Sequence, residues 1–182
     1  MNIIHHPDNV VEVKQFLNLT DCQALIQIGD KLGYDEAAIN TGQGQEVFKG
    51  IRNNERILFD HPTLAKDLFK AAKPFLPEKF DNWQLKGFNE RFRFYRYQAH
   101  QYFKWHRDGE FCRSDNEASK FTLLIYLNND YTGGETQFRE FAVSPTEGMA
   151  LLFPHPLMHQ GATVKTGVKY VLRTDVMFTR LP

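Results

Sequence analysis

The stretch Phe121-Thr122-Leu123-Leu124-Ile125-Tyr126-Leu127, closed by the turn formers Asn128-Asn129-Asp130, decides how this chain folds. Seven apolar, β-branched and aromatic positions bounded in this way read as a buried strand. Upstream, Arg91-Phe92-Arg93-Phe94-Tyr95-Arg96-Tyr97 alternates with a period of two, which predicts another strand. Downstream, Gly133-Gly134 marks a turn before Glu135-Thr136-Gln137-Phe138, and Met149-Ala150-Leu151-Leu152-Phe153 is a second buried run stopped by Pro154. Lys169 through Phe178 supplies the last strand. The region before Asn89 reads differently. Thr20-Asp21-Cys22-Gln23 has the form of a capping box, with Leu25, Ile26, Ile28 and Leu32 at roughly helical spacing and Gly33 as the stop. A second helix is expected from Asp60-His61-Pro62, with Leu64, Leu68, Phe69, Ala72 and Phe75 on its apolar face and Pro77 closing it. The order, helices first and then many short strands, predicts a mainly β protein with N-terminal helices (α+β): an antiparallel sandwich or small barrel buttressed by helices.

The 182 residues suit one domain, with a helical portion over about 1–88 and a strand-rich portion over about 89–182. Lysine plus arginine balance aspartate plus glutamate, so there is no global pull toward nucleic acid or an anionic membrane, although a local basic patch remains open. Cys22 and Cys112 are too few for a disulfide scaffold or a four-cysteine metal site. With no apolar run of spanning length and no signal-peptide pattern at the start, a cytoplasmic protein is the expectation.

His106-Arg107-Asp108 carries the chemistry. Residues two apart in an extended segment point the same way, so this imidazole and carboxylate can converge on one centre. A third ligand would come from His155 or His159. Four residues apart, these two could share a metal only on a helix, which Pro154 and Pro156 oppose, and the glutamate of the helical zinc-protease motif is missing. His155 therefore reads as a loop residue or a support for the site. Two histidines and one carboxylate leave adjacent positions open on an octahedral metal, the facial triad of non-haem iron(II) oxygenases.

From Tyr97 to Phe178 the chain resembles the prolyl 4-hydroxylase-like branch of the iron(II)/2-oxoglutarate-dependent oxygenases. The resemblance rests on Tyr97, Tyr102-Phe103-Lys104-Trp105-His106-Arg107-Asp108 and Leu124-Ile125-Tyr126-Leu127-Asn128. It continues through Gly133-Gly134-Glu135-Thr136, Gly148, Phe153 and His159-Gln160-Gly161, then Val164, Gly167 and Lys169. It implies a double-stranded β-helix, or jelly roll, with iron(II) held by His106, Asp108 and His159. It also implies 2-oxoglutarate as co-substrate, hydroxylation of an unactivated C–H bond with release of succinate and CO2, and ascorbate as a reductant. Lys169, ten residues after His159, stands where the family pattern puts the cation for the far carboxylate of 2-oxoglutarate. Tyr126 matches a tyrosine that bonds the same carboxylate, and Tyr97 is a further contact. An aspartate ligand favours hydroxylation over halogenation.

Several assignments stay open on the sequence. Arg173 shares a strand face with Lys169, so it could enter the co-substrate pocket, pair with Asp175 or recognise the substrate. Thr163 is either a support for the site or an ordinary strand-edge threonine. Trp105 and Phe111 either wall the cavity or pack in the core, and Cys112 reads as an ordinary thiol. The glycine-rich Asn40–Gln45 segment reads as a surface loop or a lid. The Arg52–Arg56 stretch reads as a charged turn or a substrate-facing edge, with Arg52 the candidate contact. The substrate, protein or small molecule, is expected to be a prolyl or other amino-acid-like group rather than a nucleic acid. The competing class is a cupin-like metal-dependent dioxygenase or isomerase that does not use 2-oxoglutarate, for which Lys169 and Tyr126 would have no purpose. A non-catalytic binding module is disfavoured by the intact triad.

Overall fold

Four strands spread along the chain build the centre of the molecule: Arg91–Tyr97, Glu117–Tyr126, Ala150–Pro154 and Lys169–Arg180. The computed structural model describes residues 2–37, 39–41, 44–46 and 50–181, with 39–41 and 44–46 known by their backbone alone. The large antiparallel sheet runs Asn2–His5, Val11–Lys14, Ala150–Pro154, Glu117–Tyr126, Lys169–Arg180, Arg91–Tyr97, Glu55–Asp60, Asp35–Glu36. A smaller sheet of Phe103–His106, His159–Gly161, Thr136–Phe138 and Ala142–Val143 lies against it. Two facing antiparallel sheets with the helices outside give the jelly-roll arrangement expected.

The period of two explains how one sheet serves two cores. Phe92, Phe94, Leu123, Ile125, Leu172 and Val176 face the helices and pack with Leu25 and Leu68. Their neighbours Tyr95, Tyr97, Tyr126, Leu151, Phe153 and Val171 face the small sheet. A strand covered on both faces must be apolar throughout, which is why Phe121–Leu127 shows no alternation. The polar exceptions on the inner face, Thr122, Lys169, Arg173 and Asp175, are all buried. They mark the site.

The first helix spans Leu19–Leu32 and is capped by Asn18, whose side chain accepts from the Asp21 amide at 2.8 Å. Thr20, the expected cap, sits inside the first turn. Asn18 holds the extended backbone that a cap requires and exchanges a second bond with Asp21. The buried face is Cys22, Leu25 and Gly29, while Ile28 and Leu32 are exposed. The second helix covers Pro62–Ala72 with His61 as cap, its Nδ1 accepting from Leu64 N at 3.0 Å. Ala65, Leu68 and Ala72 are its buried positions, and Phe75 lies beyond it in a 3-10 turn.

The expectation of a helical portion over 1–88 needs correction. That region holds both helices but also the strands Asn2–His5, Val11–Lys14, Glu55–Asp60 and Trp83–Phe88, which extend the large sheet on both sides. Instead of a plain loop at Asn40–Gln45, Ile39–Thr41 pairs with Gly44–Glu46 as a hairpin. Gly42 and Gln43, on which the lid reading also rests, lie outside the described residues. Among the described residues no helix is long and apolar enough to cross a membrane.

Candidate active site

Between the two sheets, His106 and His159 face each other as register partners on adjacent strands, and Asp108 follows two residues after His106. The Asp108 amide donates to the His155 carbonyl at 3.0 Å, which fixes the turn that carries its carboxylate. Asp108 Oδ1 lies 3.7 Å from His106 Nε2, and its Oδ2 lies 3.7 Å from His159 Nε2. One potential ligand atom from each residue falls within 4.8 Å of the others, so the three could hold a metal ion.

Hydrogen bonding fixes how the rings present themselves. His106 Nδ1 lies 2.7 Å from the Lys104 carbonyl, and His159 Nδ1 lies 2.9 Å from the Leu157 carbonyl. A carbonyl only accepts, so each Nδ1 carries the proton and each Nε2 turns a lone pair toward Asp108. That tautomer is the one a metal requires. Burial reinforces it. The His106 pKa is pushed down to about 3 by desolvation and by His159, and His159 is lowered by desolvation as well. Burial works against the Asp108 carboxylate, yet the Arg173 guanidinium beside it holds it well below the usual range. Two neutral imidazoles and a carboxylate form the donor set suited to ferrous iron.

Both carboxylate oxygens of Asp108 are held from behind. Arg173 Nη1 donates to Oδ1 at 2.7 Å and Thr122 Oγ1 donates to Oδ2 at 2.5 Å. Thr122 in turn lies 3.0 Å from His155 Nδ1, and His155 Nε2 lies 2.8 Å from Ser119 Oγ. Because the threonine proton is given to Asp108, Nδ1 of His155 must be the donor to Thr122. Its Nε2 then accepts from Ser119, whose oxygen accepts from the Phe111 amide at 2.8 Å. The chain of bonds has one consistent direction, and burial keeps His155 neutral by lowering its pKa to about 4. His155 is thus an internal support, and the pairing of Arg173 with Asp175 at 3.2 Å is also present. Thr122 and Ser119 were not singled out from the sequence. Ser and Thr inside apolar strands were the available signal, and a register shift between Ser119 and Phe121 brings the two to one side.

A second pole of the site lies deeper between the sheets. Lys169 is buried, and its ammonium donates to the Gly134 carbonyl at 2.6 Å, with the rings of Tyr126 and Tyr97 at 5.1 and 5.5 Å. Burial pushes its pKa down to about 7. A narrow pocket lined by Tyr97, Tyr126, Thr136 and Lys169 at one end reaches His106, Asp108 and His159 at the other. A buried amine with donors to spare and, among the described residues, no carboxylate bonded to it fits one end of a dicarboxylate. Gly134 has φ +71°, and a Cβ there would stand 3.2 Å from Lys169 Cδ, so glycine lets the backbone close on the amine. Tyr126 shares its hydroxyl with Thr136 Oγ1 at 2.7 Å, and Thr136 is the additional polar group of this pocket.

The remaining candidates separate clearly. Arg173 stands at the metal end rather than beside Lys169, so the two cations serve different poles. Arg52 is buried and bridged to Phe103 by backbone pairing. Trp105 and Phe111 line an outer groove above the triad, with Trp105 exposed. Thr163 is exposed, and it contributes its backbone carbonyl to Gly134. Cys112 is an exposed free thiol.

Residues 92–174 match the family model of the 2OG-Fe(II) oxygenase superfamily. Over that stretch, a little under half of its length, the chain is similar to that superfamily. The chain is 27% identical over 181 residues to a candidate prolyl 4-hydroxylase of Acanthamoeba polyphaga mimivirus, an alignment covering 87% of this chain and 70% of the relative. Its fold is that of a viral collagen prolyl hydroxylase from Paramecium Bursaria Chlorella virus-1 in complex with 2-oxoglutarate. That match has a TM-score of 0.70 and 24% identity and covers 95% of this chain and 97% of the other. It is also that of a prolyl 4-hydroxylase from Pseudomonas putida, with a TM-score of 0.67, 16% identity, and 97% and 94% of the two chains covered.

Proposed function

We propose that this protein is an oxygenase that binds iron(II) through His106, Asp108 and His159 and takes 2-oxoglutarate between that metal and Lys169. It then hydroxylates an unactivated C–H bond of an amino-acid residue, with a prolyl residue in a peptide as the first candidate. The observation that carries the reading is the pair of fixed tautomers. Both Nε2 lone pairs and a doubly anchored carboxylate meet at one point, with a buried ammonium at the far end of the same pocket. The metal with its co-substrate would supply dioxygen activation, with succinate and CO2 released. The protein's own residues set the geometry. His106 and His159 are oriented by backbone carbonyls, and Asp108 is steered by Thr122 and Arg173. Lys169, with Tyr126 and Tyr97 around it, anchors the co-substrate carboxylate. The apolar walls of Phe103, Leu124 and Val171 exclude water that would quench the chemistry. A reading without 2-oxoglutarate leaves the buried Lys169 without a purpose.

The proposal treats residues 1–182 as one functional unit acting in the cytoplasm, with ascorbate as the reductant that keeps the metal ferrous and no nucleic acid as substrate. Its test is succinate formation from 2-oxoglutarate under air with iron(II) and a set of blocked proline peptides, followed by mass spectrometry for products one oxygen heavier. Succinate that depends on iron and disappears in His159→Ala supports the reading. Succinate formation that persists in His159→Ala contradicts it.

A further inference from the structure

Above the triad lies an open groove of about 510 Å³ whose walls hold five arginines: Arg52, Arg56, Arg93, Arg107 and Arg173. In a chain with zero formal net charge this is a strong local concentration of one sign. Among the described residues, the acidic ones lining the groove are Asp108 and Glu110, and both are engaged, Asp108 with Arg173 at 2.7 Å and Glu110 with Lys120 at 2.9 Å. Behind the wall, Asp175 is shared by Arg93 at 2.9 Å and Arg173 at 3.2 Å. Burial and the guanidiniums of Arg52, Arg93 and Arg173 together press the Arg56 pKa downward, as expected for cations crowded together.

Arg52 differs from the others in what answers its charge. It is only 3% exposed, its Nε donates to the neutral Asn54 Oδ1 at 3.0 Å, and its Nη2 has no hydrogen-bond partner among the described residues. The Arg52 Cζ stands 4.1 Å over the ring of Phe103 and 5.1 Å from that of Tyr95. Phe103 is itself stacked on the His106 imidazole, with centroids 3.5 Å apart. The Arg52 head therefore stands two stacked layers from a candidate metal ligand. The segment that carries it is stitched in place by Lys104 N to Ile51 O at 2.9 Å and Tyr102 N to Asn53 Oδ1 at 2.8 Å. A buried guanidinium with an unanswered charge is costly, and a preorganised planar fork is suited to a carboxylate.

Resting on the oxygenase reading above, we propose that this groove is a carboxylate subsite for the substrate: Arg52, seated over Phe103, pairs with an acidic group that lies near the carbon to be hydroxylated. The carboxylate comes either from an acidic side chain close to the target residue in a peptide or from the free α-carboxylate of an amino acid. It is distinct from the co-substrate carboxylate, whose cation, Lys169, lies at the opposite end of the inner pocket. The remaining arginines supply a positive field that draws an anion toward the groove.

The test uses the whole chain with iron(II), 2-oxoglutarate and defined probes. These are blocked proline pentapeptides with glutamate at each flanking position, their glutamine and phosphoserine counterparts, and free L-proline and L-glutamate. Product formation gives kcat/KM for each probe. The proposal expects a preference of tenfold or more for glutamate over glutamine peptides, or for free amino acids over blocked glutamine peptides. It expects the preference to collapse in Arg52→Gln and to be partly kept in Arg52→Lys. Arg107→Gln, on the exposed wall, should weaken the preference less and carries the test if Arg52→Gln does not fold. Preference for glutamate peptides identifies an acidic side chain as the source, and preference for free amino acids identifies the α-carboxylate. Equal use of glutamate and glutamine peptides with no use of free amino acids, no use of any acidic probe, or a preference for phosphoserine over glutamate overturns the proposal. The iron–2-oxoglutarate absorption of the wild type without any probe reports separately on the underlying oxygenase reading.

Discussion

At the scale of single residues, the site depends on groups that never meet the metal position. Thr122 gives its proton to Asp108 and takes one from His155, so Thr122→Val keeps the shape while leaving one carboxylate oxygen unsupported. Loss of such an outer partner typically costs about 10–100-fold in metal affinity. Calorimetric titration of iron(II) or a redox-inert substitute into Thr122→Val should show a weakening in that range with the fold retained by circular dichroism, whereas wild-type affinity would show the bond to be idle. Lys169 gives a pH prediction with a definite sign. Its folded pKa without co-substrate is pushed down to about 7, below the ordinary 10.5. The unfolded chain therefore holds a proton that the folded one lacks between these values, so this group makes the fold more stable as pH rises through that window. Binding 2-oxoglutarate favours the ammonium. Below about pH 7 the proton is already present; above it, binding must take one up. The affinity for 2-oxoglutarate should therefore fall as pH rises above about 7, by up to roughly tenfold per pH unit, with proton uptake visible in buffers of different ionisation enthalpy. An affinity that stays flat from pH 6.5 to 8.5 would remove Lys169 from the anchor role.

At the scale of elements, the strands of the second half were legible because they are buried on both faces. A run such as Phe121–Leu127 has no polar side to confuse the reading. The strand nevertheless begins earlier, at Glu117, beyond the polar Ser119 and Lys120 that interrupt the apolar run before Phe121. Ser119 is polar because it completes the bond chain to His155, so the demand of the site masked the strand. Glu55–Asp60 was hidden in the same way: its charged ends belong to ion pairs with Arg96 and Arg91 across the sheet, not to a solvated turn. The first helix was visible, but its cap was not, since Asn18 and Thr20 are both acceptable residues and only the backbone separates them. Asn18→Ala should cost about 0.5–2 kcal/mol in chemical denaturation, and Thr20→Ala a few tenths at most. The reverse order would restore Thr20 as the cap.

At the scale of the whole molecule, the fold brings residues from distant parts of the chain to two ends of one pocket. The last long strand does much of this alone. Lys169, Arg173 and Asp175 on one face reach the deep pole, the metal end and the arginine wall in turn. That one face could be read from alternation. Which cation serves which end could not, because it depends on Gly134 closing over Lys169 and on Asp108 arriving opposite Arg173 from another sheet. The triad was legible for a different reason: His106 and Asp108 are local, and the family resemblance pointed to His159. Arg52 was visible only as one charge in a charged stretch, since its seat on Phe103 is a contact between remote segments.

The central claim is that three side chains hold iron(II) while Lys169 holds the other end of 2-oxoglutarate. Anaerobic addition of 2-oxoglutarate to the iron(II)-loaded protein tests it directly through the visible metal-to-ligand charge-transfer absorption of the chelate. The account predicts that the band forms in the wild type, is absent in His106→Ala and requires much more 2-oxoglutarate in Lys169→Ala. A wild-type protein that binds iron(II) yet gives no band, or a His106→Ala protein that gives the full band, would contradict it.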